Sequence, residues 1–259
     1  MGGVLVDLRP IGFLDSGLGG IGVLKEALRQ LPHERYLYYG DTAHIPYGDK
    51  TPEQITALVH QAVDKLIALD CKAIVIACNT ATSAAAGRLR QELSMPVIGM
   101  EPALKPAALL AGQGRILVLA TQTTLSLPKF QALMERYGRD AVPVPCPGLM
   151  ECVENGCLEG PAVEGLLGRL LSPWLEQPVK AVVLGCTHYP FLRKTIASFF
   201  APDVPLIDGN AGTVRQLKRR LEDEHLLGPD TGGGSVAFLS SSPGEAAPRR
   251  MQAMLELCP

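Results

Sequence analysis

An excess charge of either sign, aromatic mass and long apolar runs are all scarce in this chain, and each scarcity removes a class of protein. The 259 residues carry 24 Lys plus Arg against 26 Asp plus Glu, a net charge of −2, with no basic block. Nothing therefore points to nucleic acid or to an anionic membrane surface. Aromatic residues make up only 5%, and no apolar run reaches the ~18 residues that a membrane span needs. The N-terminal MGGVLVDLRPIGFLDSG lacks a basic stretch leading into a long apolar one, so no signal peptide is expected. Gly2 makes a poor acylation site, because Val6 stands where Ser or Thr is wanted. Seven cysteines, at 71, 78, 146, 152, 157, 186 and 258, form an odd set without a CxxC. A disulfide framework or a compact zinc site is therefore not expected. A reducing cytoplasm is the expected location, with each thiol either buried filler or chemistry.

What is present is an ordinary globular balance, 47% hydrophobic and 19% charged, with length enough for a real core. Short apolar runs alternate with amphipathic stretches. Strands are expected at 11–14, 36–40, 73–77, 96–99, 115–120, 142–144, 181–185, 205–208 and 236–240. Residues 51–70 show the helical spacing well, with Ile55, Leu58, Val59, Ala62, Leu66 and Leu69 on one face. Trp174 is expected on a helix, in a packing role. LGPDTGGGS (227–235) reads as a surface loop before a last strand and a C-terminal helix. Strand–helix alternation argues for an α/β fold with mainly parallel sheets covered on both faces. Ligands in such sheets sit beyond the carboxyl ends of the strands.

A long internal repeat adds to this. KAIVIACNT (72–80) lies over KAVVLGCTH (180–188) without a gap, placing Cys78 on Cys186. PVIGMEP (96–102) lies over PLIDGNA (205–211), and IGFLDSG (11–17) has a counterpart in ILVLATQ (116–122). The chain therefore reads as two similar α/β domains related by a pseudo-twofold, with the active site in the cleft between them. The expected division is 1–97 plus 209–259 for the first domain and 98–208 for the second.

On local sequence alone, each repeated cysteine is open to three readings: a small buried hydrophobe, a metal ligand or a reactive group. The repeat favours reactivity. Inverting a stereocentre takes a proton from one face and returns one to the other. A thiol, with an ordinary pKa of about 8.5, can act as acid or base near neutral pH. Asn79 and Thr80 follow Cys78, and Thr187 and His188 follow Cys186; these polar groups suit a carboxylate and an ammonium. Asp15 ends a strand and leads into the glycines of DSGLGG, whose N–H groups can approach an anion. Cys71, Cys146, Cys152, Cys157 and Cys258 carry no constellation and read as structural.

DSGLGGIGVL (15–24), GDTAHIPYG (40–48), ACNTATSA (77–84) and GCTHYP (185–190), in this order, resemble the signature segments of glutamate racemases. That family belongs to the cofactor-independent aspartate/glutamate racemases and supplies D-glutamate for peptidoglycan. The resemblance runs from about residue 11 to about 240. It implies that Cys78 and Cys186 are the catalytic acid/base pair, Cys78 taking the proton from D-glutamate and Cys186 from the L form. It implies that Asp15 and His188 assist them. It carries substrate contacts onto Asp15, Ser16, Tyr47, Gly48, Asn79, Thr80, Thr187 and His188, with Glu154, Thr121 and Thr124 as further candidates. It implies no cofactor and no metal, glutamate as substrate, no nucleic-acid or membrane partner, and a homodimer. The chain departs from the family pattern at Gly22, at His44-Ile45 and at Thr123-Thr124, none of them an acid/base position. Two rival functions remain at this point: a racemase for aspartate or a hydantoin-type substrate, and a non-catalytic amino-acid-binding protein.

Overall fold

The computed structural model describes residues 6–228 and 231–258. Gly2, and Pro229 and Asp230 of the expected 227–235 loop, lie outside the described residues. The chain forms two compact units. One comprises the chain up to Met100 together with Asn210–Cys258; the other is Glu101–Gly209.

The first unit begins β1 (Ile11–Asp15), α1 (Ile21–Gln30), β2 (Arg35–Gly40), α2 (Pro52–Ala68), β3 (Ala73–Ile76), α3 (Asn79–Glu92) and β4 (Val97–Gly99). The second contains α4 (Leu104–Ala108), β5 (Arg115–Ala120), α5 (Gln122–Ser126), α6 (Pro128–Tyr137), β6 (Ala141–Pro145), α7 (Leu149–Glu154), α8 (Pro161–Leu171), β7 (Val179–Leu184), α9 (Arg193–Ala197) and β8 (Leu206–Ile207). The chain then returns to the first unit for α10 (Asn210–Asp223), β9 (Ser235–Ser240) and α11 (Ala246–Leu257).

Every strand pair is parallel. The strand orders are β4-β3-β1-β2-β9 and β6-β5-β7-β8. Reading the second sheet backwards gives β8-β7-β5-β6, which matches β4-β3-β1-β2 strand for strand. The sequence repeat is thus a repeat of topology, with β9 added at the edge of the first sheet. Every residue of β1 and β3 is buried, which requires cover on both faces and explains runs that are apolar without alternation.

Local chemistry sets the elements. Thr51 caps α2 through a reciprocal capping box with Gln54, and Pro52 occupies the first turn. Ile55, Val59, Ala62, Val63 and Leu66 then face the core. Leu69 does not join them. The helix ends at Ala68, and Leu69 is 47% exposed. Trp174 is not on a helix either; α8 ends at Leu171, and Trp174 lies half-buried in the turn that follows. Among the described residues no helix is long and apolar enough to cross a membrane.

Two glycines let adjacent strands close up at their carboxyl ends. A Cβ on Gly20 would lie 2.8 Å from the Asp15 Cβ and 2.9 Å from that of Ala77, where β1 and β3 finish side by side. A Cβ on Gly185 would lie 2.8 Å from the carbonyl oxygen of Leu119, the corresponding place between β5 and β7. Gly22 has a different reason, since a Cβ there would come within 3.0 Å of Asn210 on α10.

Candidate active site

In the first unit, Cys78 follows β3 and forms the N-cap of α3. Its Sγ accepts from the Ala81 N–H at 3.5 Å and lies 3.8 Å from the Ser16 Oγ. A sulfur at a helix N-terminus meets backbone N–H donors and the positive end of the helix dipole, both of which favour thiolate. Asp15, the last residue of the neighbouring β1, is fully buried, and its Oδ2 accepts from Gly17 N–H at 2.9 Å. Asn79 is 2% exposed, and neither atom of its side-chain amide has a hydrogen-bond partner among the described residues. Thr80 is buried beside it in the first turn of α3.

Tyr47 opens a short 3-10 turn, with Gly48 next in it. Its hydroxyl donates to Asp41 Oδ2 at 2.6 Å, and Asp41 Oδ1 pairs with His44 Nδ1 at 2.7 Å. Burial, then the hydrogen bond to Asp41, then the negative charge of Asp41, Cys78 and Asp15 push the phenol far above its usual range. Tyr47 is therefore a neutral donor in the same electrostatic neighbourhood as Cys78 and Asp15. Asp41 was not among the residues singled out in the sequence, although it lies inside GDTAHIPYG; a buried carboxylate between two aromatic donors is the feature that marks it.

The second unit places Cys186 in the equivalent position, just past β7. Its Sγ lies 3.6 Å from His188 Nδ1, and His188 Nε2 donates to Glu154 Oε1 at 2.7 Å. Glu154 comes from the last turn of α7, so Cys186, His188 and Glu154 form one hydrogen-bonded chain. Burial opposes a charge on His188, but the hydrogen bonds to Cys186 and Glu154 outweigh it and hold the ring's pKa well above 6.5. With Nε2–H committed to Glu154, Nδ1 can take the proton of a Cys186 thiol or donate one to a Cys186 thiolate. The thiol can thus switch protonation state without charging a second group in isolation.

Thr187 is buried next to this chain. Thr121 caps α5 at the end of β5, accepting from Thr124 N–H at 3.2 Å and donating to its hydroxyl at 2.9 Å. β5 and β7 are adjacent, with Gly185 N–H bonded to Leu119 O at 2.7 Å, so these threonines share the carboxyl end of the sheet with Cys186. Tyr189 and Cys146 are additions that the sequence did not suggest. The buried Tyr189 hydroxyl donates to the Cys146 carbonyl at 3.3 Å, and burial, with Cys186 nearby, raises the Cys146 thiol to about 12. Cys146 is therefore inert at neutral pH while Cys186 has a proton partner.

A titration tests the His188 arrangement. Because its folded pKa exceeds 6.5, the stabilisation from protonated His188 is complete below that pH and is lost as pH rises through the folded value. Glu154→Gln keeps the shape and removes the charge. His188 should then lose its proton about one pH unit or more lower, read from its ring signals by NMR. An unmoved titration would show that Glu154 does not set the ring's charge.

A duplicated parallel α/β protein with one buried thiol at the same topological position in each unit is the class that fold and site together define. Over residues 20–217 the chain matches the family described as Asp/Glu/Hydantoin racemase, and it belongs to that family. It is 49% identical over 235 residues to a glutamate racemase of Clostridium perfringens, covering 90% of each chain. The structure superposes on that of glutamate racemase from Thermus thermophilus in complex with β-chloro-D-alanine, with a TM-score of 0.80, 36% identity and coverage of 96% of this chain and 93% of that one. It also superposes on glutamate racemase from Francisella tularensis in complex with D-glutamate, with a TM-score of 0.83, 29% identity and coverage of 97% and 95%.

Proposed function

We propose that this protein is a glutamate racemase, interconverting L- and D-glutamate in the cytoplasm and supplying the D form for peptidoglycan. The observation that carries the reading is the pair of thiols at matching strand ends, each with its own proton or hydrogen-bond partner. The 49% identity to a glutamate racemase over most of the chain supports glutamate as the substrate.

In this reading Cys78 and Cys186 act on one substrate, one thiol for each face of the α-carbon. One, as thiolate, takes the α-proton onto sulfur. The other, as thiol, gives its proton to the opposite face, and the configuration inverts. Both proton transfers are then made by sulfur, so no added cofactor is needed. Negative charge builds at the α-carbon beside the carboxylate, and oriented donors there stabilise it. The Asn79 amide, Thr80, Ser16, the neutral Tyr47 with Gly48, and Thr187 are the proposed substrate contacts. Asp15 assists on the Cys78 side. His188 assists Cys186, with Glu154 positioning it, and Thr121 and Thr124 complete that end of the second sheet. A homodimer is the proposed assembly.

The test is direct. The purified, reduced protein is incubated with L-glutamate in heavy water without added cofactor, while proton NMR follows the α-proton and polarimetry the rotation. Exchange with racemisation of glutamate, and none in a parallel sample of L-aspartate, is the expected result. Turnover of aspartate instead would keep the thiol chemistry and overturn the substrate. No exchange in either sample, from folded protein with free thiols, would overturn the reading in favour of a binding role or a substrate that is not an amino acid.

A further inference from the structure

The five other cysteines are buried, whereas Cys152 is half-buried and Cys157 exposed, both at the C-terminal end of α7. An exposed thiol is not core filler, so the structural role read from the sequence does not hold for Cys157. The backbone there forms a complete Schellman motif. Gly156 adopts φ 76°, its N–H bonds to Val153 O at 2.9 Å, and Cys157 N–H bonds to Cys152 O at 2.7 Å. This motif folds the residue after the left-handed glycine back onto the residue that opens it, and those two side chains commonly touch. Here they are the two thiols. They also sense each other electrostatically: burial first, and then the neighbouring Cys157, raise the pKa of Cys152.

We infer that Cys152 and Cys157 form a peroxide-responsive dithiol that closes into a reversible intramolecular disulfide. The exposed Cys157 sulfur attacks hydrogen peroxide; the O–O bond breaks, an S–O bond forms, and hydroxide leaves. Sulfur is oxidised by two electrons and the peroxide is reduced. Cys152, as thiolate, then attacks the Cys157 sulfur; the S–S bond forms, the S–O bond breaks, and hydroxide departs to be protonated to water. A dithiol such as thioredoxin, which leaves as its own disulfide, or two molecules of glutathione, which leave as glutathione disulfide, return the pair to thiols, in keeping with the transient disulfides found in reducing compartments. The ring encloses Glu154, whose carboxylate is bonded to His188 at 2.7 Å. The modification thus falls on the turn that positions the acid/base chain, although its own readout does not require racemase activity.

The full-length protein is treated with stoichiometric hydrogen peroxide, free thiols are alkylated under denaturing conditions, and peptides are mapped by mass spectrometry. The expected result is loss of two hydrogens on the peptide spanning Cys152 and Cys157, ahead of any change at the buried thiols and reversed by dithiothreitol. Cys152→Ser should convert it into oxygen addition at Cys157, with the linked peptide lost. Both thiols alkylated in the treated wild type, oxygen addition at Cys157 while Cys152 stays free, or earlier oxidation of Cys78 or Cys186 would each overturn the inference.

Discussion

Cys78→Ser and Cys186→Ser should each lower kcat for racemisation by about 10²- to 10⁴-fold, in both directions, with the fold intact by circular dichroism. Serine keeps the size and hydrogen-bonding capacity of cysteine. Its hydroxyl, however, cannot ionise at the pH where the thiol does, so proton transfer is removed while the site stays filled. Both directions fail in each variant because every turnover uses one thiol as base and the other as acid. Isotope exchange separates this from a simpler mechanism. Cys78→Ser retains the base for the L face, so slow α-exchange should persist on L-glutamate without inversion; Cys186→Ser should retain it on D-glutamate. A single base serving both faces would instead leave one variant nearly as active as wild type and abolish all exchange in the other. Retention of more than about a tenth of turnover in either variant would remove that thiol from the acid/base role.

The strands were legible because buried parallel strands are written as short, nearly continuous apolar runs, and nine such runs became β1 to β9 within a residue or two. The thiols were legible for a different reason: two copies of one strand–turn–helix pattern put a cysteine at the same offset, and only a backbone demand or a chemical one keeps that. What hid from the sequence depends on contacts made far along the chain. The bond from Glu154 to His188 joins α7 to the turn after β7, and no local pattern encodes it; only the family resemblance points to Glu154. Asp41 is an ordinary residue in a loop until Tyr47 and His44 fold onto its two oxygens. Leu69 fits the helical spacing of α2 but falls past the helix end, where periodicity has no hold. Trp174 failed likewise, in the turn after α8. The exposure of Cys157 was invisible because thiol burial is decided by tertiary packing.

Asn79→Leu should raise the KM for glutamate, by the equivalent of about 1–3 kcal/mol or roughly 5- to 150-fold, while leaving thermal stability unchanged or higher. The two halves of that prediction rest on one observation. The amide is 2% exposed, and neither its oxygen nor its nitrogen has a hydrogen-bond partner among the described residues. A buried polar group without partners costs stability in the ligand-free protein, and an apolar side chain of similar volume removes that cost. Leucine is also well suited to the first turn of α3, where Asn79 sits. If the amide is kept for substrate, its hydrogen bonds are made only when glutamate binds, and the variant gains in the free state what it loses in the complex. Melting temperature with and without D-glutamate, alongside KM and kcat, reads both sides. A variant that melts lower with an unchanged KM would make Asn79 a packing residue of α3 and withdraw it from the substrate contacts. A raised KM at equal or higher melting temperature identifies the amide as a group that the fold leaves unsatisfied until the ligand arrives.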